Sequence, residues 1–322
     1  MNKDALHRTN IRLQSLAVFR QLLSDSVVAA LIQYLNTLNT KETALAVSQY
    51  ADFVSCLYEA EDVSLAEHIC SIVADSENAY IRTIGQKKTP SKAMTDAVEQ
   101  ELAILQEVAD LTPQALRQGL DWDGFLPEFG VKQVDIPAYY RQRCSEIGKY
   151  GYGMYARHRM FYINSQNVIV PVKNPDDIRL ASLVDYKREQ KIIMDNTIAL
   201  LEGKPAANIL LTGDAGTGKS STVKAVVNEL YDRGLRILEV RKEQLTEIPE
   251  ILDTLNCNPL KFILFIDDLS FQKDDDNFSA LKAILEGSVS AKSGNVVIYA
   301  TSNRRHLIKE TWNDRSDMEH NG

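Results

Sequence analysis

From Ile11 to Leu120 apolar residues return at three- and four-residue steps, the spacing that lines one face of an α-helix. Phe19, Leu22, Leu23, Val27, Leu31, Tyr34 and Leu35 form one such stripe, and further amphipathic stretches cover residues 44–58, 64–84 and 92–108. Thr112 followed by Pro113 reads as an N-cap with proline at the first helical position. The pattern predicts an all-α N-terminal domain over residues 1–135, closed by turn formers and aromatics at 121–136. No repeat of solenoid length interrupts it.

The pattern then changes twice. Residues 136–182 read as a connector rich in aromatic and basic residues, with a small hairpin formed by 160–163 and 168–172 around the turn Asn164-Ser165-Gln166-Asn167. From Leu183 onward apolar runs of strand length alternate with helical spacing, which predicts a parallel sheet with crossover helices. The strands fall at 208–212, 236–240, 262–266 and 295–300, with helices at 187–201 and 220–230. The predicted architecture is thus an α/β core over residues 183–322 preceded by the helical domain.

Chemistry enters between the first of these strands and the helix after it. Gly213-Asp214-Ala215-Gly216-Thr217-Gly218-Lys219-Ser220 fits the phosphate-loop pattern GxxxxGKS/T in its required strand–loop–helix context. The glycines let backbone N–H groups turn toward phosphate oxygens, and the helix start at Ser220 and Ser221 adds its positive end. Lys219 is placed to reach the β- and γ-phosphates and Ser220 to supply a hydroxyl to Mg²⁺. The strand at 262–266 ends in Asp267-Asp268, two carboxylates at the carboxyl edge where open α/β sheets hold ligands. Asp267 is the expected Mg²⁺ ligand and Asp268 the expected general base that polarises the attacking water. Asn303, just past the strand at 295–300, falls at the same edge and is placed to orient that water. ATP and Mg²⁺ are the cofactors that this set calls for.

The stretches AANILLTGDAGTGKSS, FILFIDDLSF and VVIYATSNRRHL resemble the AAA+ ATPases, in which a phosphate loop, an acidic strand end and a polar sensor recur in this order. More closely, they resemble an uncharacterised bacterial family of AAA+-type ATPases, a domain of unknown function, in which a helical half precedes the ATPase. The resemblance spans about residues 183–306 and implies ATP binding, hydrolysis and a homo-oligomer. By analogy with the AAA+ lead-in loop it also implies an adenine pocket built from Val184 and Tyr186, with Leu183 and Asp185 beside them. Two departures matter. AAA+ proteins usually carry Glu where Asp268 stands, one methylene shorter, which implies slow hydrolysis. The chain also stops at Gly322, before the fifth strand, trans-acting arginine and helical lid that the resemblance leads one to expect, so the core is expected to be incomplete, with 208–212 an exposed edge. Arg304 and Arg305 follow the sensor, either reaching a phosphate or a neighbouring subunit or standing as solvated surface arginines.

Composition narrows the functional classes. With 322 residues, 44% hydrophobic residues and a net charge of −8, the chain has the length for two domains and lacks the charge of a nucleic-acid-coating protein. Residues 139–162 are locally basic, with Arg141, Arg143, Lys149, Arg157 and Arg159 opposed by Glu146. These residues read either as a single-strand-binding surface of aromatics and cations or, the favoured reading, as a packed connection. The glycines at 148, 151 and 153 lack a GKS/T ending and read as turns. Cys56, Cys70, Cys144 and Cys257 have no paired spacing, and the five histidines show no ligand spacing, so no metal beyond Mg²⁺ is expected. The acidic run 274–276 reads as a solvated loop. The N-terminus lacks the apolar core of a secretory signal and no segment has the length of a membrane span, so the expected location is the cytoplasm. The leading expectation is an ATPase that couples its nucleotide cycle to an unknown protein partner through the helical domain. The alternatives are a nucleotide-gated switch or scaffold with little turnover, and a nucleic-acid remodeller or loader.

Overall fold

The computed structural model describes residues 3–40, 42–60, 64–270 and 294–303. Arg304, Arg305, the acidic run 274–276 and the chain beyond lie outside the described residues. The chain divides into two compact units, Met1–Glu146 and Ile147–Gly322.

The first unit is helical throughout. Its helices are α1 (Lys3–Gln14), α2 (Ser26–Thr37), α3 (Thr43–Glu59), α4 (Leu65–Ala74), α5 (Ala79–Gly85), α6 (Lys92–Ala109), α7 (Pro113–Arg117) and α8 (Ile136–Ser145). Side-chain caps explain where most of them begin. Ser64, Asn78, Ser91, Thr112 and Asp135 each accept a hydrogen bond from a first-turn N–H, satisfying donors that the helix itself leaves open. The stripe from Phe19 to Leu35 is not one helix. Asp25 accepts from the N–H groups of Val27 and Val28 and starts α2 afresh, leaving Phe19 and Leu22 buried around a 3-10 turn at Arg20–Ser24. In the same way Asn78 divides the stretch 64–84 into α4 and α5. Glu101, buried in α6, breaks the apolar pattern for a structural reason: its carboxylate accepts from the N–H groups of Ala17, Val18 and Phe19.

The second unit opens with two short helices, α9 (Ile147–Tyr150) and α10 (Met154–Arg157), and then alternates. Its remaining elements are β1 (Met160–Ile163), β2 (Ile169–Pro171), α11 (Lys187–Leu201), β3 (Ile209–Thr212), α12 (Lys219–Leu230), β4 (Leu235–Glu239), α13 (Ile248–Asn256), β5 (Lys261–Ile266) and β6 (Val296–Ser302). Among the described residues the strands form one six-stranded sheet in the order β2-β1-β4-β5-β6-β3. The β1–β2 pair is antiparallel, and every other neighbouring pair is parallel. The hairpin read as part of the connector joins this sheet, because β1 pairs with β4 in register Met160↔Ile237. The last strand runs two residues past the expected end at Ala300 and takes in Thr301 and Ser302.

Alternation along the strands divides the core between the two faces of the sheet. Phe262, Leu264, Ile266, Ile298 and Ala300 pack with Ile248, Ile251, Leu252 and Leu255 of α13. Ile263, Phe265, Val297 and Tyr299 pack on the other face with Val223, Val226, Val227 and Leu230 of α12 and with Ile193 and Leu200 of α11. Burying one such side chain contributes about 1.5–3 kcal/mol, so these runs fix which residues at the strand ends face α12. The β3 strand is an edge among the described residues, and its Leu210 is 43% exposed.

Candidate nucleotide-binding site

The period of two that buries Ile263 and Phe265 against α12 carries Asp267 to the same face at the end of β5. The same alternation in β6 carries Thr301 and then Asn303 there, after Val297 and Tyr299. The loop from β3 to α12 crosses this edge, so the side chains singled out on three separate segments converge.

Gly216 and Gly218 hold the loop in left-handed conformations, φ 79° and 80°, that a side chain would strain. Thr217 Oγ1 donates to the Asp214 carbonyl at 2.8 Å and closes the turn. Lys219 begins α12 with its ammonium folded back over the loop, donating to the carbonyls of Gly213 at 2.8 Å and Asp214 at 2.7 Å and to Asn303 Oδ1 at 3.0 Å. Asn303 in turn donates through Nδ2 to Asp268 Oδ1 at 2.9 Å. Ser220, in the first turn of α12, donates to Asp267 Oδ1 at 2.5 Å. Ser221 is half-buried in the same turn, and Ala215 is exposed at the loop tip.

A residue that the sequence reading passed over completes the network. Thr301 Oγ1 donates to Asp267 Oδ1 at 2.5 Å and accepts the N–H of Asp268 at 2.9 Å. Asp268 is left-handed, φ 51°, a conformation in which aspartate is enriched, and this turns the chain away from the strand direction right after Asp267. The signal for Thr301 was strand alternation, which only reaches it once β6 is drawn past Ala300.

The two oxygens of Ser220 and Asp267 suit a hard cation that takes oxygen ligands. No cluster of three or more His, Cys, Asp or Glu residues fit to hold a metal occurs among the described residues. One hydroxyl and one carboxylate suit a Mg²⁺ that completes its shell with substrate phosphates and water, rather than a cation caged by protein.

A cleft of about 500 Å³ lies against this edge, lined by Tyr186, Ile192, Leu210, Asp214, Lys219 and Asn303 among others. Its volume is in the ordinary range for small-molecule sites. Tyr186 stands left-handed, φ 62°, at the start of α11, and the lead-in segment before it is pinned by Gln190, whose side chain donates to the Asp185 carbonyl at 2.8 Å. Val184 is 82% exposed and lies outside the lining of this cleft. Arg304 lies outside the described residues. A larger cleft, about 610 Å³, occurs in the helical unit between the start of α4, the end of α6 and residues 130–135. It carries no phosphate loop, so chemistry rather than volume selects the smaller one.

The basic stretch 139–162 is largely engaged within each unit. Arg141 pairs with Glu99 at 2.5 Å and Arg143 lies 3.6 Å from Asp75. Arg159 pairs with Asp177. Tyr140 and Tyr152 are buried, and Tyr155 packs between Phe161 and Phe262. No helix among the described residues is long and apolar enough to cross a membrane.

The family described as "Protein of unknown function (DUF815)" matches residues 156–321. A comparison with curated proteins finds no match. Among solved structures the chain is similar to PCH-2 of C. elegans, with 21% identity, TM-score 0.32, and 42% of this chain against 41% of that one. It is similar to AMPPCP-bound DnaA from Aquifex aeolicus, with 17% identity, TM-score 0.28, and 41% of this chain against 43% of that one. It is also similar to DnaI, with 20% identity, TM-score 0.30, and 51% of this chain against 89% of that one. The matched region thus spans about two fifths of the first two proteins.

Proposed function

The chain belongs to the DUF815 family, and from that premise we propose that it is a Mg²⁺-dependent ATP-binding protein and ATPase of AAA+ type. The observation that carries the proposal is the convergence of Lys219, Ser220, Asp267, Asp268 and Asn303 in one hydrogen-bonded network at the carboxyl edge of the parallel strands. Three segments far apart in sequence supply it, which a glycine-rich turn without a ligand does not require.

In this reading the loop N–H groups and the start of α12 receive the phosphates, and Lys219 exchanges its contacts with loop carbonyls for the β- and γ-phosphate oxygens. Mg²⁺ held by Ser220 and Asp267 would neutralise charge developing on the phosphoryl oxygens. Asn303 positions a water in line with the γ-phosphorus and Asp268 accepts its proton. The water oxygen bonds to the γ-phosphorus as the bond from that phosphorus to the β–γ bridging oxygen breaks, leaving ADP and inorganic phosphate. Tyr186 and the exposed apolar surface at Ile192 and Leu210 form the surface on which the base rests. The helical unit transmits the nucleotide state to a protein partner.

A second reading, a nucleotide-gated switch with little turnover, is favoured by one specific feature. The Asp268 carboxylate is already engaged by Asn303, and it is one methylene shorter than the glutamate usual at this position. Phosphate release by the full chain separates the two. Turnover that is lost in Asp268→Asn while ATP binding persists supports the ATPase. Tight binding with no turnover in the parent chain supports the switch, and absence of Mg²⁺-dependent ATP binding removes both.

A further inference from the structure

Asp267 Oδ1 is the most crowded acceptor of the site, taking Ser220 Oγ, Thr301 Oγ1 and the N–H of Asp268 at 2.5, 2.5 and 3.2 Å. Of these donors only Thr301 touches both acids. Its hydroxyl has one proton and two acceptor lone pairs, and the structure uses it in both directions: the proton goes to Asp267 and a lone pair takes the N–H of Asp268. Thr301 is 2% exposed and lies in the strand between the acids and β3, in register with Leu211. Its backbone is bound as well, because its carbonyl accepts the N–H of Leu269 at 2.7 Å. The segment Asp267–Leu269 is therefore tied to Thr301 at three points, and the left-handed turn at Asp268 lies between the last two.

We propose that Thr301 is a positioning residue that sets the two acids of the site together, fixing the rotamer of the Mg²⁺-binding carboxylate Asp267 and locking the left-handed backbone that presents Asp268 to Asn303. The proposal rests on the ATP-binding reading of the site and adds a residue that neither the phosphate loop nor the acidic strand end identifies. Thr301 does not touch substrate. It acts through Asp267 and Asp268, so its effect falls on Mg²⁺ dependence and turnover and leaves the phosphate grip of Lys219 intact.

Thr301→Val keeps the shape and removes the hydroxyl, and Thr301→Ser restores the hydroxyl without the methyl. The experiment titrates the full chain with a fluorescent ATP analogue across a Mg²⁺ series, and measures phosphate release alongside. Groups that orient metal ligands are typically worth 10–100-fold in metal affinity or activity. Thr301→Val is therefore expected to raise the Mg²⁺ concentration for half-maximal binding by about 10-fold or more, to lower kcat comparably, and to leave Mg²⁺-free nucleotide affinity unchanged. Thr301→Ser is expected to recover most of both. Parent-like behaviour of Thr301→Val overturns the proposal. Equal damage by valine and serine, or equal loss of Mg²⁺-free affinity, shows a packing role and overturns it too. If the parent chain binds no nucleotide in the presence of Mg²⁺, the ATP-binding reading itself has failed, an outcome distinct from a silent Thr301 in a chain that binds.

Discussion

Lys219 and Asp268 make opposite claims about the chemistry, and single substitutions separate them. The Lys219 ammonium is satisfied by carbonyls and an amide oxygen, all neutral, so a phosphate, as the stronger partner, would draw it over. Lys219→Ala removes that charge and is expected to weaken ATP binding by about 2–5 kcal/mol, on the order of 30-fold or more, in a calorimetric titration. Asp268→Asn preserves the acceptor for Asn303 but cannot take a proton. It is expected to bind ATP as the parent does and to lose about 10²–10⁴-fold in turnover, read as phosphate release. Undiminished turnover in Asp268→Asn would show that the base lies elsewhere. At this scale the phosphate-loop pattern was legible because it is local, eight consecutive residues from Gly213 to Ser220. Thr301 was not, because its role depends on a register between strands 34 residues apart from Asp267 to Thr301.

At the scale of elements, apolar runs such as Phe262 to Ile266 declared the buried strands almost to the residue, since a strand covered on both faces reads as a nearly continuous apolar run. What the pattern hid were interruptions made by single polar side chains. Asp25 sits inside a stripe of helical period and ends it by capping α2 through Oδ1, the same oxygen that His68 Nε2 of α4 meets at 2.8 Å. The hairpin of β1 and β2 was visible as a local pair, but its union with β4 is a long-range pairing that no local pattern encodes. Asp25 also carries a pH dependence. Burial pushes its carboxyl up, but the hydrogen bond and charge of His68 and the N–H groups of Val28 and Val27 outweigh that and hold it below the ordinary 3.8. A lowered folded value means that the stabilisation is present above pH 3.8 and is lost as the pH falls through the lowered value. Asp25→Ala is expected to cost about 0.5–2 kcal/mol near neutral pH, with a deficit that shrinks in strong acid, measured by urea unfolding followed by circular dichroism. A deficit independent of pH would contradict the role given to this carboxylate.

For the whole molecule, the network that joins α12, β5 and β6 would make nucleotide binding, as proposed, a stabiliser of the sheet unit. At a nucleotide concentration 100 times Kd the gain is about 2.7 kcal/mol, which for a unit of this size corresponds to a rise of several degrees in Tm. The rise is expected with MgATP and not with Lys219→Ala, and a scan of thermal unfolding reads it. The parallel strands β3 to β6, and the carboxyl edge where the candidate site lies, were legible from the alternation of runs after Leu183. The purpose of the helical unit was not, because a helical stripe specifies a core and leaves the choice of partner to surface groups. The most direct test of the central claim is a calorimetric titration of the full chain with ATP, with and without Mg²⁺, beside Lys219→Ala. One site per chain, strengthened by Mg²⁺ and lost in Lys219→Ala, is the expected result. Absence of binding, or binding that Lys219→Ala leaves unchanged, would contradict the assignment of the phosphate loop as the nucleotide site.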